Sequence, residues 1–166
     1  MRLVSKTAGA LVITSALSFA CDPGTRLKGN IALEDGLDAA DDERHTLYVA
    51  AFRSSDVTGA VFDTAAAPAF IEFGGIANED FDPDVGFELG GAGGAEEMHV
   101  FVWWKIADAE LPDYELPEEG DRFGVFAENP VFPGATGKDS DAQHHVDLVL
   151  DRIYGVDTAG FAFPQP

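Results

Sequence analysis

Met98-His-Val-Phe-Val-Trp-Trp104 is the stretch that decides the fold. It is short, holds one polar side chain, and is built from valines and aromatics, the residue types that suit a pleated surface. Because it is apolar at odd and even positions alike, it reads as a central strand covered on both faces. Successive side chains of a strand point to opposite faces, so Trp103 and Trp104 cannot share one environment. At least one of the two indoles is expected to fill the core.

Outward from this strand, the neighbours alternate in the manner of half-buried strands. Arg26–Leu33 sets Leu27, Gly29, Ile31 and Leu33 against Arg26, Lys28 and Asn30. Thr46–Phe52 is rich in β-branched and aromatic residues, and Ala69–Phe73 is a short apolar run bounded by Pro68 and Gly74-Gly75. Val85–Leu89 alternates again, Phe123–Ala127 follows, and His145–Ile153 sets Val146, Leu148 and Leu150 opposite His145, Asp147 and Asp151. Gly59–Phe62 is a weaker candidate. Between these runs lie turn-prone segments: acidic Glu34–Arg44, Asn78–Asp84 with Pro83, and the connector Gly90-Gly91-Ala92-Gly93-Gly94. Ala39–Glu43 is the one place where a helical turn is expected. The pattern predicts an all-β fold, an antiparallel Ig-like β-sandwich of about seven to eight strands.

Composition narrows the function classes. Hydrophobic residues make up 46 % and aromatics 11 %, enough for a core despite 30 acidic residues against 10 basic ones. Removing residues 1–20 takes away Arg2 and Lys6 and no acid, leaving a formal charge of −22. Such a chain lacks the cations that neutralise phosphates, so nucleic acid is excluded as a partner. The same charge opposes adhesion to anionic lipid head groups.

The N-terminal segment speaks to location. Met1–Lys6 is short and basic, and Thr7–Ala20 carries no charge. This is the composition of a secretory signal peptide, and it is too short for an ordinary transmembrane helix, which needs about 20 apolar residues. Ser18-Phe19-Ala20 ends the run with small residues at the two positions a signal peptidase reads, and Cys21, the single cysteine, comes next. The arrangement resembles a bacterial lipoprotein lipobox, with Leu17 four residues before the cysteine rather than three. The resemblance implies a lipidated Cys21 as the mature N-terminus. Ordinary secretion with cleavage at the same bond is the competing reading. One cysteine excludes a disulfide within the chain.

Candidate chemistry is thin. Past residue 20 the serines are Ser54, Ser55 and Ser140, none in a G-x-S-x-G elbow. The glycine run at 90–94 is followed by Glu96-Glu97, which would repel a phosphate. His144 and His145 are adjacent and, in a strand, face opposite sides, which disfavours a shared zinc. His45 and His99 read as structural. The densest cluster is the loop Asp108–Asp121, in which Asp108, Glu110, Asp113, Glu118 and Asp121 are the candidate oxygen ligands for calcium. Its spacing is not that of an EF-hand.

The run over residues 98–151 resembles the transthyretin-like or carboxypeptidase-regulatory-like sandwich domains of bacterial envelope lipoproteins. The residues that carry the likeness are Val100–Trp104, the acidic loop, Gly120-Asp121-Arg122-Phe123-Gly124, Asn129-Pro130 and His145–Leu150. The loop lacks the Asp-x-Asn-x-Asn series of that family. The resemblance implies a non-catalytic module with accessory or binding roles.

The organisation expected is therefore a signal peptide at 1–20, a lipidated tether at 21–25, one sandwich domain at 26–154 and a tail at 155–166, in which Phe161 and Phe163 could pack back. The function expected is a bacterial cell-envelope lipoprotein, attached to the membrane through its N-terminus, not an enzyme, with a protein or glycan partner. No cofactor is implied beyond the calcium alternative. A secreted or periplasmic protein and a carboxylate/histidine hydrolase are the other readings.

Overall fold

The computed structural model describes residues 26–58, 61–62, 68–82, 84–90, 97–106, 115–131 and 143–155. Their strands are, in chain order, β1 (Arg26–Leu33), β2 (His45–Arg53), β3 (Val57–Thr58), β4 (Val61–Phe62), β5 (Phe70–Ile76), β6 (Val85–Gly90), β7 (Met98–Lys105), β8 (Arg122–Val125), β9 (Gln143–His145), β10 (Leu148–Leu150) and β11 (Arg152–Ile153). They build two sheets and a small hairpin. One sheet has the order β10-β1-β6, with β9 also paired to β1; the other runs β11-β8-β7-β2-β5; β3 pairs only with β4. The all-β sandwich is thus what the alternation predicts, with Met98–Trp104 at its centre.

The two sheets differ in kind. In the four-stranded sheet the alternation is clean: Leu27, Ile31, Val85 and Leu89 are buried, and Lys28 and Glu88 meet on the solvent side at 3.0 Å. The five-stranded sheet is covered on both faces. Leu47, Val49, Ala51, Val100, Val102 and Trp104 turn toward the first sheet. Tyr48, Ala50, Phe52, Phe101, Trp103 and Phe123 turn the other way into a second, aromatic cluster. Both indoles are fully buried, one in each cluster.

Three features depart from the sequence pattern. The run His145–Ile153, which reads as one strand, is divided among three, the first of which begins earlier at Gln143. It pairs with β1 in parallel through β9 and β10, then crosses to β8 through β11. The buried triad Val146, Leu148 and Leu150 is as expected, because the side chains keep their alternation while the backbone changes partner. Two glycines permit this crossing. A Cβ at Gly29 would collide with the carbonyl of Val146, and one at Gly124 with the carbonyl of Val149. The helical turn expected at Ala39–Glu43 is a series of bends. Asn78 claims that backbone, donating to the carbonyls of Ala39 and Asp41 and accepting from Ala39 N–H, so the loop's polar groups are satisfied without a helix. Short 3-10 turns occur instead at Ser54–Asp56 and Asn78–Phe81.

The strands sort the connections by end. β1 runs from Arg26 to Leu33, and antiparallel β6 returns so that Gly90 lies opposite Arg26. β2 and β7 pair so that Arg53 meets Met98 at one end and Thr46 meets Lys105 at the other. Val131 bridges to Met98, and Glu97 accepts from Ser54 N–H, at the Arg26 end. The other end gathers the acidic segments 34–44 and 77–84 and the approach to β8 at 115–121.

Candidate functional site at the acidic end

The acidic end is held together by its few cations. Lys105 closes the central strand and is buried, with 2 % of its surface exposed. Its Nζ donates to the carbonyl of Leu116 at 3.3 Å and lies 3.4 Å from Glu115, 3.5 Å from Glu118 and 3.9 Å from Asp121. A buried ammonium is tolerable only with such partners. The Asp121 carboxylate is buried too. It accepts from the backbone N–H of Glu118 at 2.8 Å and of Ile106 at 3.2 Å, closing the turn 118–121. Burial pushes its carboxyl above the ordinary carboxylate range, while the two N–H donors and Lys105 pull it back.

The neighbouring acidic loop is tied down in the same way. Arg122 donates to the carbonyls of Leu37, Asp38 and Gly120, fixing residues 37–38 to the turn before β8. Arg44 spans to the Gly75 carbonyl and pairs with Asp80 at 3.1 Å. His45 is buried beneath the loop, edge-on to Trp104, and its Nε2 lies 2.8 Å from Asp41. That hydrogen bond, with the Glu43 N–H, holds the Asp41 carboxyl below its ordinary range. The carboxylates left facing water include Asp35, Asp38, Asp42, Glu43 and Glu119.

The sequence-derived site residues fare unequally. Of the five calcium candidates, Glu118 and Asp121 are brought together, and the cation between them is Lys105. Asp108, Glu110 and Asp113 lie outside the described residues, as does Cys21. Among the described residues no three His, Cys, Asp or Glu side chains are placed to hold a metal ion. His145 pairs with exposed Asp147 at 2.8 Å. His99 is part-buried and stacks on Phe101, and desolvation lowers its pKa. Sequence reasoning passed over Lys105, Arg122 and Asn78. The available signal was a lone lysine closing a strand whose one other polar residue is His99, in a chain with only Lys6, Lys28 and Lys138 besides.

A second polar feature sits where the sheet edges meet. Glu72, on the edge strand β5, faces the space between the sheets and accepts from the backbone N–H of Glu88 on β6. Desolvation first, and the Glu88 charge after it, raise its pKa. This contact stitches two edges that would otherwise expose unpaired backbone groups.

No protein-family model and no curated protein matches the chain. Among solved structures it is similar to an alternative pilotin from the type II secretion system of Vibrio cholerae, at 11 % identity and a TM-score of 0.42, over 75 % of this chain and 94 % of that one. A likeness that distant assigns the chain to no family.

Proposed function

We propose that this chain is a lipid-anchored bacterial cell-envelope module that binds or scaffolds a partner and performs no catalysis. The observation that carries the reading is the N-terminal sequence: a basic start, an uncharged run from Thr7 to Ala20, and the chain's one cysteine directly after Ser18-Phe19-Ala20. The fold is compatible with it, since β1 begins at Arg26, five residues beyond Cys21, and leaves a short tether. The organisation of the acidic end also favours a binding role. Its buried ionisable groups are engaged with one another and with backbone, as in a built surface. The resemblance of residues 98–151 to transthyretin-like envelope modules supports the same reading.

Mass spectrometry of the mature chain tests it. The expected species begins at Cys21 and carries the mass of acyl chains, and Cys21→Ala releases the protein into the soluble fraction. An unmodified Cys21 in the mature chain would overturn the anchor.

A further inference from the structure

We propose that the end of the sandwich bearing Arg26, Ser54–Asp56 and Asn129–Val131 is its bilayer-facing surface, and that the acidic end is held away from the membrane. This inference rests on the lipid anchor at Cys21 and adds an orientation to it. Five residue steps separate Cys21 from Arg26, so the tether reaches about 18 Å at full extension. From Arg26 to Leu33, β1 advances about 23 Å, and the turn at Glu34–Gly36 lies beyond that. An inverted domain would need Arg26 to stand farther from the bilayer than the tether can reach. The acidic end therefore cannot become the contact surface by turning over.

Charge points the same way. Residues 34–43 alone hold six carboxylates, and 79–84 and 115–121 add four each, all at the far end. At the near end the described carboxylates are Asp56, Glu97 and Glu128, accompanied by Arg53. An anionic leaflet repels the first set within about a Debye length, some 8–10 Å at ordinary salt, and so reinforces the upright posture. The near end is also the plainer one: its described backbone is closed by Met98–Val131 and by Ser54 N–H to Glu97, and Asn129 donates to and accepts from Val100.

The test uses the full-length chain, processed in a bacterial host that acylates lipoproteins and placed in phosphatidylcholine vesicles containing a head-group nitroxide lipid. Ser55→Cys and Asp35→Cys, both at exposed positions, carry a thiol-reactive fluorophore. The expected result is that the label at position 55 is quenched several-fold more than the label at 35. Flotation with the vesicles together with equal quenching, or stronger quenching at 35, overturns the orientation and leaves the anchor standing. A wild-type chain that takes the label at Cys21, or fails to float, overturns both.

Discussion

Trp103 and Trp104 are adjacent in sequence, equally buried, and belong to different cores. Trp104 lies between the sheets, edge-on to His45 and to Phe81 at 5.1 Å, with its Nε1–H given to the Ile76 carbonyl. Trp103 lies on the outer face, stacked on Tyr48 at 5.2 Å, with its Nε1–H given to the carbonyl of Glu115. The inner core is mostly aliphatic and is closed by a second sheet. The outer one is aromatic, and Val57 of the β3–β4 hairpin and Leu116 of the segment before β8 pack against it. A second sheet closes a face with its own ladder. On the outer face the described residues supply large rings and pinned segments in place of a second ladder, and the acidic segment before β8 is tied there at Trp103 and at Lys105.

The sharpest way to break this comparison is to truncate each indole. Trp104→Ala should cost about 5 kcal/mol and Trp103→Ala about 3 kcal/mol, the upper and lower parts of the range for large-to-small aromatic changes. The inner change opens a cavity that two sheets cannot close and strands the carbonyl of buried Ile76. The outer change leaves the carbonyl of exposed Glu115, which water can reach. Urea unfolding measures both, and equal losses would show that the two faces are not different kinds of core.

Next in size is the seam where the chain passes between sheets. Gly124→Ala places a methyl group against the carbonyl of Val149 and 2.9 Å from Val102 Cγ1, so β8 and β10 must part. A loss of about 3 kcal/mol is expected, at the top of the range for overpacking. Gly86→Ala is the control, because its nearest neighbour would be Asn30 Oδ1 at 3.9 Å. A midpoint for Gly124→Ala that matches this control would mean the seam has room that the geometry does not show.

The same seam marks the boundary of what the residues alone reveal. Every long strand was legible, because burial on one face leaves a period of two and burial on both leaves an unbroken apolar run. Val146, Leu148 and Leu150 were legible as buried for the same reason. Their change of partner was not, since periodicity records which way a side chain points and carries no information on pairing or direction. The parallel pairing with β1 is of that kind. At the acidic end, the loops were visible from composition, but their organisation was not. Lys105 meets carboxylates 10 to 16 residues onward, and Arg122 reaches carbonyls 84 and 85 residues back. Contacts of that span are consequences of the fold and leave no local pattern in the sequence.

The lysine among these carboxylates yields the smallest and most pH-sensitive prediction. Lys105→Met keeps the apolar stem and removes the charge facing Glu115, Glu118 and Asp121. A loss of about 2 kcal/mol is expected at pH 7, below the range for breaking a fully buried pair, because Glu115 and Glu118 remain in contact with water. The loss should shrink on acidification. Asp121 titrates above its ordinary value of 3.8 in the folded chain, so the folded state holds its proton more tightly than the unfolded one. Its contribution to stability is then largest below that value and declines as pH rises through the folded pKa. Without Lys105 the folded pKa moves higher still, and the penalty for an ionised Asp121 grows at neutral pH while vanishing once the carboxyl is protonated. Unfolding midpoints of wild type and variant should therefore converge between pH 7 and pH 4. A gap that stays constant across that interval would mean Lys105 acts through packing alone, and the acidic loop would need another account of what holds it against the aromatic face.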